Sequence, residues 1–249
     1  MEPYTPSRRL DARIRRKFAP LMGRRVARLD LERSVVSFTF DDAPASVARN
    51  ALPQLEARGW PATLYIATGL LGTINHHGRM MTGLELRENH YKGHEIAAHG
   101  HAHVDYATLS DTEVVADAER AEAAFESLGL PAPAHFAWPY GETSAAAKRV
   151  LQDRYGTLRG TQHVIHRDRV DLNQVGSWRL FSSHIDLVME ALDDLKRMPG
   201  WITLFGHDVR DTPSAWGCTP REFERVVERV ARAGFDVRAV GDVASELIR

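Results

Sequence analysis

Short apolar runs, rich in β-branched and aromatic residues, alternate along this chain with longer segments of helical periodicity. That alternation is typical of β-α units arranged around a parallel sheet. We predict strands near residues 34–40, 62–67, 95–98, 134–138, 176–181, 201–206 and 236–240. Seven or so units in 249 residues predict an α/β fold in which the strands curl into a barrel.

Capping signals mark the ends of several predicted helices. Ser110 and Glu113 form a capping box, and Gly129 ends the helix that they begin. The same signature recurs at residues 219–222, and Gly234 ends the helix that follows. Both helices lie between predicted strands, as the β-α pattern requires.

The N-terminal segment is more basic than the rest of the chain. We interpret residues 1–30 as a basic arm or first helix and residues 31–249 as one domain, because no linker or repeat interrupts the latter. Apolar residues recur in the arm at helical spacing opposite the arginines, at Leu10, Ile14, Phe18 and Leu21. Two interpretations stay open, a solvated arm or a peripheral contact with anionic lipid headgroups.

The overall charge is nearly balanced, with 32 basic and 33 acidic residues and a formal net charge of −1. This balance argues against nucleic-acid binding. The single cysteine, Cys218, excludes a disulfide within the chain, so any metal ligands must be His, Asp or Glu. The sequence shows neither a transmembrane segment nor the apolar core of a secretory signal. We therefore expect a cytoplasmic protein, with a membrane-peripheral position as the variant.

Two adjacent carboxylates, Asp41 and Asp42, follow directly on the first predicted strand. Burying a carboxylate costs free energy unless a partner compensates its charge. Successive residues point in different directions, so one carboxylate can bind a metal while its neighbour accepts a proton. The simpler interpretation is that the pair caps the helix that begins near Ser46.

Two histidines, His99 and His103, follow another predicted strand at a spacing of four residues. On one helical turn this spacing places both imidazoles on the same face, as in helical zinc sites. A lone histidine is more commonly a packing or surface residue. That is our interpretation of His76, His77, His94 and His101.

Two further polar clusters stand at the ends of predicted strands, at residues 135–142 and 201–208. The second of them contains His207 and Asp208. In a β/α barrel the carboxyl ends of the strands meet at one face. Four polar clusters at such ends therefore predict a single converged site.

Four motifs together resemble one known family. They are TFDD at residues 39–42, H-x-x-x-H at 99–103 followed by Asp105, W-P-Y-G at 138–141 and L-F-G-H at 204–207. Their order and spacing are similar to those of the polysaccharide deacetylases with a NodB-homology domain, carbohydrate esterase family 4, over roughly residues 34–245. The resemblance implies a distorted (β/α) barrel of about seven parallel strands that binds one divalent metal ion.

The resemblance also implies a role for each matching residue. The implied metal ligands are Asp42, His99 and His103. The implied ion is zinc, with cobalt or nickel as alternatives. Asp41 is implied as the general base that takes a proton from the attacking water, and His207 as the acid that protonates the departing amine. The backbone N–H of Tyr140 is implied to stabilise the oxyanion.

The expected function is removal of N-acetyl groups from an N-acetylated amino-sugar oligosaccharide or polysaccharide, and the expected partner is that glycan. Two alternatives remain open. One is hydrolysis of a small cyclic amide or imide at the same metal site, as in allantoinase-like relatives. The other is a catalytically silent carbohydrate-binding module. An open groove lined by Trp and Tyr favours the glycan, whereas a closed pocket favours the cyclic amide.

The chain departs from the family pattern in two places. The arginine that usually stands two residues before Pro-Tyr and pairs with the catalytic aspartate is replaced by Ala137. An exopolysaccharide-associated variant of the family also lacks it. We predict that Arg179 takes its place, a surface salt bridge being the alternative. The Asp-x-x-Asp-Trp motif, whose carboxylate tunes the acid histidine, is not recognisable, and Asp171 and Asp186 are the candidates to serve His207.

Aromatic residues complete the predicted site. The predicted substrate-binding residues are Trp138, Tyr140, Trp178 and Trp216. Trp178 is expected to supply an aromatic wall. Trp216 stands in a segment rich in turn formers, residues 209–220, and either stacks on a sugar ring or packs beneath that loop.

Overall fold

The computed structural model describes residues 10–247, apart from the side chains of residues 11 and 13. Residues 1–9 of the predicted basic arm, and residues 248–249 of the predicted domain, lie outside the described residues. The strands of the described chain are β1 (Val26–Arg28), β2 (Val35–Asp41), β3 (Thr63–Ile66), β4 (Ile74–Asn75), β5 (Gly78–Arg79), β6 (Glu95–Ala98), β7 (His135–Ala137), β8 (Thr157–Arg159), β9 (Arg169–Asp171), β10 (Trp178–Arg179), β11 (Trp201–Gly206) and β12 (Asp236–Val237). The α-helices are α1 (Leu10–Phe18), α2 (Ala45–Asn50), α3 (Leu52–Glu56), α4 (Gly83–Tyr91), α5 (Asp111–Ser127), α6 (Ala145–Leu151), α7 (Ile185–Arg197), α8 (Pro220–Ala233) and α9 (Val240–Leu247).

A curled parallel sheet forms the centre of the molecule, with strands in the order β10-β11-β2-β3-β6-β7-β8. Strand β2 pairs with β11 on one side, and on the other side with β12 near its start and β3 near its end. A parallel bridge between Arg159 and Val175 links β8 to the segment that precedes β10. The prediction of a distorted (β/α) barrel of about seven parallel strands is confirmed.

All seven predicted strands are present, although β10 and β12 are only two residues long. Strand β8 and the antiparallel pairs β1-β9 and β4-β5 were not predicted. Segments of two or three residues are too short to show a period of two, so the pattern of apolar positions could not reveal them.

The capped helices pack on the sheet as predicted. Ser110 caps α5 through a complete capping box, and Thr219 does the same for α8. Helix α8 ends at Gly234, whose φ of 70° lies in the left-handed region that glycine tolerates. One face of α8 is buried against the core, through Phe223, Val226, Val227 and Val230. This burial stabilises the helix more than its intrinsic propensity does.

Residues 10–30 lie against the barrel. Strand β1 pairs with β9, and Arg16 lies 3.4 Å from the carboxylate of Glu142. The fully buried ammonium of Lys148 donates to three backbone carbonyls of this segment, at Ala19, Pro20 and Met22, each at 3.1 Å. The four apolar side chains that recur at helical spacing are exposed, namely Leu10, Ile14, Phe18 and Leu21, and so are Met22 and Val26. Among residues 10–247, no helix combines the length and the apolar character needed to cross a membrane.

Candidate active site

The segments that follow the parallel strands line one cavity of about 320 Å³. The lining residues are Asp41, Asp42, Asn75, His76, His77, His99, His103, Trp138, Tyr140, Gly141, Thr161, Arg179, Phe181, Phe205, His207 and Trp216. Every predicted site residue is among them except Trp178. The four polar clusters therefore converge at the carboxyl ends of the strands, as predicted.

The backbone at this cavity is strained. Four described residues other than glycine have a positive φ, namely Asp42 and Ala43 (both 67°), His103 (50°) and Tyr140 (61°). Each such conformation costs of order 1–3 kcal/mol for a residue with a Cβ atom, and it persists only where the surroundings enforce it. Three of these four residues belong to the predicted site.

The segment with the two histidines is an irregular loop, so the predicted helical turn over residues 99–103 is wrong. The carboxylate of Asp117 on α5 accepts hydrogen bonds from the backbone N–H groups of His101 (2.8 Å) and the next residue (3.0 Å), which holds the loop in place. The loop nevertheless brings the rings of His99 and His103 to 5.0 Å between centroids. The spacing identified the pair correctly, although loop geometry rather than a helix unites it.

Asp42 and the two histidines form a compact set of donor atoms. Oδ1 of Asp42 is buried without an aligned hydrogen-bond partner and lies 3.1 Å from Nε2 of His103 and 3.6 Å from Nε2 of His99. Nδ1 of His99 donates to the carbonyl of Ala137 (2.8 Å), and Nδ1 of His103 donates to the hydroxyl of Tyr140 (3.0 Å). These bonds leave the Nε2 lone pairs facing Asp42. Two imidazoles and one carboxylate fit a divalent ion such as zinc.

The protonation states suit that donor set. Burial raises the pKa of Asp42, but the nearby imidazoles of His103 and His99 outweigh it and hold that pKa well below its usual range. Burial lowers the pKa of His99 to about 4. For His103, burial acts in the same direction, but the Asp42 carboxylate outweighs it and raises the pKa. Asp42 is therefore ionised, and His99 is neutral, at neutral pH.

The neighbouring carboxylate, Asp41, is paired with an arginine. Nη2 of Arg159 donates to Oδ1 of Asp41 at 2.5 Å, and both side chains are buried. The guanidinium also lies over the rings of Tyr65 (5.1 Å) and Phe205 (4.9 Å). Arg159 ends β8 and stands directly opposite Ala137 of β7 in the sheet register. In the family pattern an arginine at position 137 supplies the guanidinium, whereas in this chain Arg159 of the adjacent strand supplies it.

His207 follows β11 on the other side of the cavity. Its Nδ1 donates to the carbonyl oxygen of Trp216 at 3.3 Å, and burial lowers its pKa to about 4. Neither carboxylate predicted to serve it is in contact with it. Asp171 ends β9, outside the parallel sheet, and accepts hydrogen bonds from two backbone N–H groups there. The side chain of Asp186 is 94% exposed and pairs with an arginine of α8.

This geometry agrees with a comparison against protein families. The family profile described as polysaccharide deacetylase matches residues 28–155, just over half of the chain. The chain belongs to the polysaccharide deacetylase family.

Two curated relatives are similar in sequence to parts of this chain. A chitin deacetylase of a Pestalotiopsis species is 28% identical over 115 residues, which are 46% of this chain and 37% of that protein. A protein of Arthroderma benhamiae named probable peptidoglycan-N-acetylglucosamine deacetylase is 31% identical over 85 residues, which are 34% of this chain and 18% of that protein. The chain therefore spans well under half the length of either relative.

Solved structures share the fold over most of the chain. A family 4 carbohydrate esterase from Streptomyces lividans, in complex with acetate, aligns with a TM-score of 0.57 at 19% identity over 84% of this chain and 93% of that one. A CE4 family pseudoenzyme from Bacillus anthracis aligns with the same TM-score of 0.57 at 15% identity over 88% of this chain and 68% of that one. The fold is thus shared by an esterase and a pseudoenzyme, so the side chains must decide the activity.

Arg179 does not make the ion pair that we predicted for it. Its guanidinium lines the cavity of this polysaccharide deacetylase fold but meets Nε2 of His163 at 3.1 Å, while Arg159 pairs with Asp41. Arg159 was missed because β8 was missed. One signal did exist in the sequence, since a glycine that follows a helical pattern, here Gly156, typically marks the return from a helix to a strand.

The predicted aromatic residues have different surroundings. Trp178 precedes Arg179 on β10 but does not line the cavity, and its ring stacks on that of His163 with 4.8 Å between centroids. The expected aromatic wall is therefore absent at Trp178. Trp138 borders the cavity but is fully buried, packed against Phe136 at 5.3 Å. Trp216 is partly exposed and lines the cavity.

One further residue of the site, His77, was interpreted as a packing residue. It stands on the tight turn between β4 and β5 and is only 3% exposed. Its ring stacks on that of His207, with 4.5 Å between centroids, and its Nε2 lies 3.7 Å from Oδ2 of Asp42. A two-residue turn between two-residue strands has no periodic signal, so the sequence pattern could not mark this histidine.

Proposed function

We propose that this chain is a metal-dependent hydrolase that removes N-acetyl groups from an acetylated amino-sugar glycan. The observation that carries the proposal is the cavity in which the donor set of Asp42, His99 and His103 adjoins an ion-paired carboxylate, Asp41, and faces an imidazole, His207. The two curated relatives are named for chitin and for peptidoglycan N-acetylglucosamine. Their names favour a glycan built from N-acetylglucosamine over a small cyclic amide.

The metal would be held by Asp42, His99 and His103. Zinc suits one carboxylate and two imidazoles, and cobalt and nickel accept the same donors. A bound ion supplies a Lewis acid that polarises the amide carbonyl and lowers the pKa of a water molecule.

Asp41 acts as the general base. The ion pair with Arg159 fixes its carboxylate at the cavity wall, where it accepts a proton from the attacking water. The backbone N–H of Tyr140, held at a φ of 61°, then donates to the oxygen on which negative charge develops. The strained conformation fixes this donor before the substrate arrives.

His207 delivers a proton to the departing nitrogen. Its Nδ1 is engaged by the carbonyl of Trp216, so Nε2 is the atom that carries the transferred proton. The imidazole is neutral in the free protein because burial lowers its pKa to about 4. Negative charge that develops on the substrate oxygen raises that pKa, so Nε2 of His207 takes up a proton from solvent during the reaction and then delivers it to the departing nitrogen.

The first experiment measures acetate release from N-acetylglucosamine oligomers by protein that is stripped of metal and then given Zn²⁺. We expect release that depends on added metal and that falls strongly in Asp41→Asn. Asp186→Asn is the matched control, since it also neutralises an aspartate but at an exposed position outside the cavity.

The alternatives give different results in this experiment. Metal bound by the wild-type protein without acetate release, combined with opening of a cyclic amide such as allantoin, would replace the glycan by that substrate class. Metal bound without turnover of either substrate would support a silent carbohydrate-binding module. No metal bound at all would contradict the proposal.

We further propose that the N-terminal segment gives peripheral contact with anionic membranes. The exposed side chains of Leu10, Ile14, Phe18 and Leu21 stand among basic residues, the combination that favours such contact. Flotation with phosphatidylglycerol vesicles tests it, and Phe18→Asp is expected to abolish flotation. Equal flotation of both proteins would contradict it.

The expected cytoplasmic location stays a prediction that cell fractionation tests.

A further inference from the structure

His77 has polar partners that a residue with only a packing role does not need. Its Nδ1 lies 3.2 Å from Oδ1 of Asp208 and 3.0 Å from the hydroxyl of Ser214. Asp208 is fully buried and is itself held by Nε of Arg210 (2.7 Å) and the backbone N–H of Ser214 (2.8 Å). The Nδ1–H group therefore donates to a fixed carboxylate, which leaves the Nε2 lone pair on the cavity side.

The same construction occurs at the other histidines of the cavity. Nδ1 of His99, His103 and His207 faces Ala137 O, the Tyr140 hydroxyl and Trp216 O, respectively. All four imidazoles thus keep Nε2 for the cavity. A ligand histidine in metalloproteins typically donates its other ring N–H to a carboxylate or a carbonyl in this way.

Asp42 lies between the two pairs of histidines. Its Oδ1 faces His99 and His103, and its Oδ2 lies 3.7 Å from Nε2 of His77. One ligand atom each from Asp42, His77 and His207 lie within 4.8 Å of one another, as do those of Asp42, His99 and His103. The chain thus offers two sets of one carboxylate and two imidazoles that share a single aspartate.

We propose that Asp42, His77 and His207 form a second divalent-cation site, in which Asp42 bridges to the ion held by His99 and His103. The donor set of two imidazoles and a carboxylate selects zinc, cobalt or nickel over calcium or magnesium. The inference rests on the proposed function in one respect, that Asp42 is a metal ligand. Two-metal hydrolase sites hold their ions about 3.5–4 Å apart, a separation that a bridging carboxylate allows.

The second site has a consequence for turnover. Its ligand His207 is the proposed acid, and an imidazole nitrogen that binds an ion cannot also deliver a proton. We therefore expect activity to rise as the first site fills and to fall as the second fills. Excess zinc is an inhibitor in this scheme, and the ratio of the two affinities sets the range of zinc concentration in which the enzyme is active.

The test counts ions on the full chain, prepared without a histidine tag. Equilibrium dialysis against Zn²⁺ is expected to give two ions for each wild-type chain, with different affinities. His77→Asn removes only the weaker site, because the Asn amide still donates to Asp208. His103→Asn removes only the site of the proposed function, and Asp42→Asn weakens both. Asp208→Asn lowers the affinity of the second site by roughly 10–100-fold, the usual effect of losing the partner behind a ligand histidine.

The matched control is His76→Asn, which changes the adjacent histidine of the same turn and is expected to keep both ions. The Co²⁺-loaded wild-type protein is expected to give a spin-coupled signal in electron paramagnetic resonance, which His77→Asn loses. His207→Asn provides a second variant in case His77→Asn fails to fold. One ion per wild-type chain, or a second ion retained in both His77→Asn and His207→Asn, overturns the second site. Loss of both ions in His103→Asn would also overturn a second site that binds on its own, whereas retention of the first ion in His103→Asn would contradict the proposed function.

Discussion

The two neighbouring carboxylates of the site lie in opposite surroundings. On the arginine side, which we define as Asp41 and Arg159, a buried guanidinium compensates the charge and two aromatic rings enclose it. The histidine side consists of Asp42, His77, His99, His103 and His207. There the carboxylate faces Nε2 of His77 at 3.7 Å and Nε2 of His103 at 3.1 Å. A step of one residue therefore separates the proposed base from the proposed metal ligand, and the surroundings rather than the residue type distinguish the two proposed roles.

The largest expected effect is a loss of activity when the arginine side is changed and the histidine side is left intact. Asp41→Asn removes the proposed base, so we expect kcat to fall by roughly 10²–10⁴-fold. Zinc binding is expected to persist because the histidine side is intact. Acetate release and the zinc content of the same preparation provide the measurement, and a parallel loss of zinc would show that the two sides are not separate.

The next effect concerns stability on the arginine side. Arg159→Met leaves the buried Asp41 carboxylate without its partner, and breaking such a pair costs roughly 3–5 kcal/mol of unfolding free energy. Urea unfolding provides the measurement. The double variant Asp41→Asn, Arg159→Met is expected to recover much of the loss, since no unpaired charge remains. Additive losses in the double variant would contradict the ion pair, and Arg179→Ala, which removes an arginine from the same cavity, is the control.

A smaller effect is expected on the histidine side. Tyr140→Phe removes the hydroxyl that accepts from Nδ1 of His103, so the ring is less firmly oriented. Zinc affinity should fall by roughly 10–100-fold, with little change in urea unfolding of the metal-free protein. Competition with a chelator measures the affinity. An unchanged affinity would mean that the loop alone orients His103.

The smallest effect is expected for Asp186, whose carboxylate lies outside both the arginine side and the histidine side. Asp186→Asn alters an exposed side chain, so unfolding free energy should stay within about 0.5 kcal/mol of the wild type. The pH dependence of acetate release should also be unchanged, because Asp186 is not in contact with His207. A shifted profile would restore Asp186 as the carboxylate that tunes the acid.

The barrel could be predicted because its long strands and capped helices have clear signatures. Strand β11, with six buried residues, and the capping boxes of α5 and α8 are local features of the sequence. The pair of His99 and His103 could also be predicted from its spacing, whereas the choice of Asp42 as the third member came from the family resemblance. The actual geometry of these residues could not be predicted. The loop that carries the two histidines is held by hydrogen bonds to Asp117, and tertiary packing brings that residue to the loop.

The remaining parts of the site depend on contacts between distant short segments. Arg159 reaches Asp41 across 118 positions of sequence from a strand of three residues. His77 gains its partners from the loop that carries Asp208 and Ser214. Trp178 does not line the cavity, whereas its neighbour Arg179 does. Such choices depend on register, which the pattern of apolar residues in short strands does not determine.

The pairing of β2 with β11 affects how the chain is made. Strand β2 leaves the ribosome long before β11, and at 5–20 residues per second the delay is on the order of 10–30 s. During that time β2, a fully buried strand in the folded protein that ends at Asp41, has one edge without its native neighbour. The site is therefore assembled only after β11, which precedes His207, has been synthesised.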